Sequence, residues 1–279
     1  MKYKNILVHL DNSSGCRNRL EVAFAMAREY EAQLLGLFVV PTYIVPSYVE
    51  AQISVDLITD VTEKALARAR ETAVRYQQLA EDAGVKLQTS VFEGQVIPVL
   101  REHSKYADLL LLGQDHPADP DNASYGLADA LLFEGACACL VVPHSGKIAT
   151  PGNRVLLTWN ASRESAHALR EGMPLLKRAD TVVVLSSEPD DGDNELANGH
   201  PHAQALLHLL ESHGVEAVSS GISNPDMNAT DGIIGQAAEM NADLIVMGAY
   251  GHARLREIIL GGVTRDLLKL APTCLLLAH

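Results

Sequence analysis

Cysteine is scarce in this chain of 279 residues, with only Cys16, Cys137, Cys139 and Cys274. Four are too few for a disulfide framework and fit a reducing compartment. Cys137 and Cys139 lack the Cys-x-x-Cys spacing of a metal or redox pair and have no histidine cluster beside them, so core packing is favoured over ligation. Aromatic residues make up 5% of the chain, with a single tryptophan, Trp159. No apolar run approaches the roughly 20 residues that a membrane helix needs. The sequence enters strand-like residues at Asn5 with no apolar leader, so a cytoplasmic location and no membrane partner are expected. Runs of lysine or arginine are also missing. With 22 basic against 35 acidic residues, a net charge of −13 and a pI near 5.2, a nucleic-acid partner is not expected, because a polyanion is repelled on average. Several catalytic signatures are absent too: Gly-x-Gly-x-x-Gly, the Walker lysine, the Gly-x-Ser-x-Gly elbow, Ser-Gly-Gly-x-Asp-Ser and His-x-Gly-His. His9, His116, His252 and His279 show no metal-ligand spacing. No catalytic residue and no metal ligand is therefore assigned.

What the chain does have is apolar content, 47%, and length enough for two units of about 140 residues. Strand and helix patterns alternate from the start. The patterns predict strands at Asn5–Leu10, Gln33–Val40, Val85–Phe92, Leu109–Leu112 and Cys139–Val142. Between them come a helix after Asp11–Ser14 with the stripe Leu20, Phe24 and Ala27, a long helix from about Leu57 to Ala83 stopped by Gly84, a helix over Gln95–Tyr106 and one over Leu127–Phe133. After a Gly- and Pro-containing linker over 146–153 the programme repeats. Strands are predicted at Val155–Trp159, Thr181–Leu185, Val215–Ser219, Asp243–Met247 and Cys274–Leu277, with intervening helices that include His202–His213 and Asp231–Asn241. The halves align with each other. Gly113–His144 falls on Gly248–His279 without a gap, and Ile6–Asp11 falls on Val155–Asn160. The chain reads as a tandem duplication, with domain 1 over 1–145 and domain 2 over 154–279. Each is expected to be an α/β unit with a parallel sheet and helices on both faces.

The most informative stretch is Gly248-Ala249-Tyr250-Gly251, separated by nine residues from Gly261-Gly262-Val263-Thr264. It follows the buried-strand pattern Asp243-Leu244-Ile245-Val246-Met247. A strand that ends in spaced glycines and then opens a helix suits an anion, because glycine lets backbone approach closely and unpaired helix N–H groups face the ligand.

This spacing resembles the ATP-binding signature of the universal stress protein (UspA) family, and the resemblance extends over nearly the whole chain, twice. Asn5–Asp11 looks like the family's opening strand with its acidic residue, and Pro272–Leu277 looks like its closing strand in altered form. The resemblance implies two Rossmann-like domains of the adenine nucleotide alpha hydrolase type. Each would be a five-stranded parallel sheet in the order 3-2-1-4-5, with ligands at the crevice where strand order reverses. It implies binding of ATP, with or without Mg, or of another adenine nucleotide in domain 2. The contact residues would be drawn from Thr158, Asn160, Ser186, Gly248, Gly251, His252, Arg254, Gly261, Gly262, Val263 and Thr264. It also implies a regulatory or protective role in the stress response without fast catalysis. The halves would join as a pseudo-dimer through strand 5, with a further homodimer open.

The two signature copies differ. Where domain 2 has Gly248, Gly251, Gly261, Gly262 and Thr264, domain 1 has Gly113, His116, Gly126, Leu127 and Asp129. A carboxylate in place of a phosphate-facing hydroxyl repels an anion, so domain 1 is expected to bind no nucleotide. Domain 2 departs from the pattern as well, with Asn160 where ligand-binding members carry aspartate and Gly262 in place of a serine. Simpler readings stand beside these: Asn160 and Thr264 as helix N-caps, Gly248 and Gly251 as a strand end and loop start, and Trp159 packed beneath the crevice rather than stacked on a base. A ligand-free tandem scaffold for protein partners and a slow ATP-hydrolysing or nucleotidyl-transfer enzyme remain as alternatives.

Overall fold

The computed structural model describes residues 2–42, 55–123, 126–146, 150–186, 201–221, 228–250 and 262–279. They form two compact units, one of residues 3–137 and one of residues 138–279 together with 1–2.

In the first unit the order along the chain is β1 (Asn5–Leu10), α1 (Gly15–Tyr30), β2 (Gln33–Val40), α2 (Val55–Asp82), β3 (Leu87–Glu93), α3 (Val96–Ser104), β4 (Leu109–Gly113) and α4 (Leu127–Glu134). Its strands lie in the order β3-β2-β1-β4 and pair in parallel, with Val8 opposite Gly36 on one side and Leu111 on the other. The central strands are buried on both faces. That explains why β4 reads Leu-Leu-Leu-Leu without polar alternation: Leu109, Leu110, Leu111 and Leu112 are all 0% exposed.

The second unit contains β5 (Ala138–Val142), β6 (Arg154–Trp159), α5 (Arg163–Leu176), β7 (Thr181–Ser186), α6 (Pro201–Ser212), β8 (Ala217–Gly221), α7 (Ala229–Glu239), β9 (Leu244–Gly248), α8 (Val263–Leu270) and β10 (Cys274–Ala278). Strands β8-β7-β6-β9-β10 run parallel in that order, which is the arrangement 3-2-1-4-5, and strand order reverses between β6 and β9. Strand β5 lies against β10 and runs antiparallel to it, with Leu140 opposite Leu276. The apolar edge Cys274–Ala278 is thereby covered, as an exposed edge of this kind would template pairing.

The duplication is visible in devices as well as in elements. In each half an aspartate just before the fourth strand ties down the start of the first. Asp108 Oδ2 accepts from the backbone N–H groups of Lys4 and Asn5 at 2.7 and 2.8 Å, and Asp243 accepts from those of Gly152, Asn153 and Arg154 at 2.7 to 3.2 Å. The second helix of each half ends in the same six-residue turn. Gly84 and Gly214 take left-handed φ of 70° and 76°, while Val85 N–H reaches Ala80 O and Val215 N–H reaches Leu210 O. That turn consumes Val85 and Val215, so the following strands begin two residues later than their apolar pattern predicts.

Candidate functional site at the crevice of the second unit

The crevice lies at the carboxyl ends of β6 and β9. From β6 the chain leaves through Thr158 and Trp159, both half-buried, to Asn160 on the surface. Asn160 does not cap α5. Its Oδ1 accepts from Ser162 N–H at 3.2 Å, Ala161 takes a left-handed φ of 55°, and Ser162 is the N-cap, with Oγ accepting from Ser165 N–H at 3.1 Å. The carboxamide oxygen thus supports its own turn. Ser186 ends β7 and is buried at 8% exposure.

Strand β9 ends at Gly248, and the structure supplies a reason for glycine there that the sequence did not suggest. A β-carbon on Gly248 would overlap Ser165 N and lie 2.8 Å from Glu164 O, because the first turn of α5 rests against this strand end. The chain then turns through Ala249 and Tyr250, whose φ of 54° is uncommon for a residue with a side chain. Three contacts hold the turn: Ala249 N–H donates to Ala278 O at 2.8 Å, His279 Nδ1 donates to Ala249 O at 2.9 Å, and Tyr250 N–H donates to Thr264 Oγ1 at 3.4 Å. Thr264 is buried in the first turn of α8 and is not its N-cap. That place is held by Gly262, with φ −68° and ψ 143°, and among the described residues no side chain caps α8. Val263 is the first residue of that helix. Gly251, His252, Arg254 and Gly261 lie outside the described residues.

The first unit meets the same problem differently. Gly126 N–H, at the start of α4, donates to Asp115 Oδ2 at 3.2 Å, so a carboxylate of the chain stands at that helix N-terminus. Asp119 does likewise for α1: Ser14 N–H and Oγ–H donate to its Oδ2 at 2.8 and 2.7 Å, hydrogen bonds that hold the Asp119 carboxyl below the usual range. Arg68 grips Asp121 in the same loop through both guanidinium nitrogens, at 3.2 and 2.9 Å.

Beneath that loop is a buried charged cluster that the sequence reading missed. Asp11, the acidic residue closing β1, is 2% exposed. It accepts from Ser13 N–H at 3.1 Å and Ser13 Oγ–H at 2.5 Å, and Arg19 Nη2 stands 3.1 Å from the same Oδ1. Burial alone would raise the Asp11 pKa, but Arg19, with help from His9 and Ser13, holds it below the ordinary value. His9 is 0% exposed, its Nδ1 4.0 Å from Asp11 Oδ2, and burial pushes its pKa down to about 4. The sequence offered His9 in an otherwise apolar strand and Asp11 at its end, but nothing marked Arg19 as their partner.

Among the described residues no group of three or more histidine, cysteine, aspartate and glutamate side chains could hold a metal ion, and no helix is long and apolar enough to cross a membrane.

Comparison with known proteins bears on this geometry. The model of the universal stress protein family matches residues 2–142 and again 153–279. A universal stress protein of Methanocaldococcus jannaschii is 26% identical over 145 residues, which cover 50% of this chain and 82% of that protein. Among solved structures, a universal stress protein from Archaeoglobus fulgidus superposes with a TM-score of 0.74 at 16% identity, covering 99% of this chain and 96% of its own. A structure described as a putative universal stress protein of Pseudomonas aeruginosa gives 0.58 at 15% identity, with 99% and 93% covered. At these identities the structures establish the shared fold.

Proposed function

The chain belongs to the universal stress protein family, whose domain it carries twice, and from that premise we propose that its C-terminal half binds ATP or a related adenine nucleotide while its N-terminal half binds none. The observation that carries this reading is a difference between the helices that follow the fourth strand of each half, α4 and α8, compared at their N-cap residues. In the first unit Gly126 N–H is taken by Asp115, whereas α8 begins at Gly262 with no side chain among the described residues to cap it. Uncapped amides at a helix N-terminus carry partial positive charge and favour an anion such as a phosphate. They stand outside the carboxyl ends of parallel strands, next to the reversal of strand order, where α/β sheets receive ligands.

In this reading Gly262, Val263 and the first-turn amides of α8 hold phosphate, together with Gly251, His252, Arg254 and Gly261. Thr264 acts indirectly, by fixing the Tyr250 turn. Thr158, Asn160 and Ser186 border the nucleoside end. The protein works by changing state with ligand in the cytoplasm during stress, not by fast turnover. The two halves join through their fifth strands as a pseudo-dimer, which the antiparallel ladder of β5 and β10 supports.

The test is Gly262→Asp. The backbone at 262 suits any residue, and aspartate is a strong N-cap that would place on α8 the carboxylate that α4 already has. ATP should raise the melting temperature of the wild-type protein and leave that of Gly262→Asp unchanged, while the unliganded variant melts no lower than the wild type. Undiminished ATP binding by Gly262→Asp would place the anion elsewhere.

A further inference from the structure

At the turn between β6 and α5 the second unit buries two polar atoms that have no hydrogen-bond partner among the described residues, Trp159 Nε1 and Glu164 Oε2. Glu164 is only 7% exposed despite its charge. Buried polar atoms are nearly always paired, since a group stripped of water without a replacement bond is costly, and each exception calls for an explanation. Trp159 is the last residue of β6. Glu164 stands in the first turn of α5, and its carbonyl lies against Gly248 at the end of β9. Both residues therefore flank the point where strand order reverses.

At this turn the first unit pairs its buried carboxylate with a cation of its own chain, although Asp11 Oδ2 and the His9 ring nitrogens there also lack a hydrogen-bond partner among the described residues. There the buried carboxylate is Asp11, and Arg19 neutralises it at 3.1 Å. Extending the alignment of β1 with β6 places Ala168, 0% exposed, at the position of Arg19 and Asn160 at that of Asp11. The second unit thus has its buried carboxylate at Glu164 and no cation at the position of Arg19. The side-chain oxygen of Asn160 accepts from Ser162 N–H.

We propose that Glu164 and Trp159 read the uncharged part of the nucleotide, the carboxylate accepting a hydrogen bond from a ligand N–H or O–H and the indole N–H donating to a ligand nitrogen or oxygen. This rests on the nucleotide-binding reading above. A carboxylate repels phosphate, so Glu164 belongs to the base and ribose end and α8 to the phosphates. Two donors of a nucleoside fit an acceptor-only group, the exocyclic amine of adenine and the ribose 2′-hydroxyl. A site built to pair such a donor discriminates strongly against an analogue that lacks it.

The experiment titrates the full-length protein with ATP, 2′-deoxy-ATP, inosine triphosphate and tripolyphosphate by calorimetry, with Trp159, the sole tryptophan, as a fluorescent reporter at the site. Wild type should bind ATP at least tenfold more tightly than whichever analogue lacks the donor, and its tryptophan emission should change on binding. Glu164→Ala should lose that preference and at least tenfold in ATP affinity while holding tripolyphosphate as before. Trp159→Phe should also weaken ATP and leave tripolyphosphate alone. Glu164→Gln, which keeps shape and an acceptor oxygen, should fall between wild type and Glu164→Ala, and it carries the test if Glu164→Ala does not fold. A wild-type protein that binds none of the four ligands overturns the nucleotide reading itself. If wild type binds ATP but the Glu164 variants match it in affinity and preference, only the present inference falls. A loss of tripolyphosphate in proportion to ATP would mark Glu164 as structural and overturn it equally.

Discussion

Replacing Arg19 by methionine tests the account of the first unit most directly. The Arg19 and Asp11 side chains are 1% and 2% exposed, so water screens their attraction very little. Methionine fills much of the same volume but leaves Asp11 a buried anion with only the two Ser13 donors among the described partners. Breaking a buried pair by removing one member costs about 3–5 kcal/mol, because the remaining charge is desolvated without compensation. For a unit of this size that loss corresponds to a fall in melting temperature of about 10–20 °C. Urea unfolding followed by far-ultraviolet circular dichroism, with calorimetry for the melting temperature, reads both. The double variant Asp11→Asn, Arg19→Met removes the stranded charge while keeping an oxygen for Ser13, so it should recover to within about 1 kcal/mol of wild type. The deficit of Arg19→Met should also narrow as pH falls, since Asp11 then favours protonation of His9, which Arg19 normally opposes. A loss below about 1 kcal/mol in Arg19→Met, or a double variant as unstable as the single one, would refute the argument that this pair is a buried, mutually dependent unit.

Two further predictions concern pH and the crevice. His9 has a folded-state pKa of about 4 against the ordinary 6.5, so between those values the unfolded chain binds a proton that the folded chain refuses. Its contribution is fully present above about pH 6.5 and is lost as pH falls toward 4, about 3 kcal/mol in all. Stability measured across that window should decline in wild type and stay flatter in His9→Leu, and equal slopes would assign the acid sensitivity to other groups. Gly248→Ala places a methyl against the backbone of Glu164 and Ser165, which a side-chain rotation cannot relieve, so a loss of about 1–3 kcal/mol in chemical unfolding is expected. A neutral result would show that α5 is free to shift away from β9.

The strand order 3-2-1-4-5, and with it the place of the crevice, was implied by the family resemblance, while periodicity supplied only the alternation of strand and helix. The contacts inside it were less legible. Asn160 and Thr264 were candidates for helix caps, and residue type alone supported that, yet the caps are Ser162 and Gly262. The choice turned on where each helix actually begins and on which neighbouring amide was within reach. Gly248 was legible as a glycine the backbone needs, but the need arises from helix α5, a separate element of the chain.

By itself the sequence determined the alternation of strand and helix, the duplication and the family, since each is encoded by residues near one another or by direct comparison of one half with the other. The tertiary structure decided which polar groups satisfy one another. Arg19 meets Asp11 across the turn from β1 to α1, Asp115 takes the amide of Gly126, and Glu164 Oε2 is left buried without a partner among the described residues. Local patterning records which face of an element is apolar. A charged side chain's partner depends on burial and on distances of a few ångströms between elements, which no periodicity encodes.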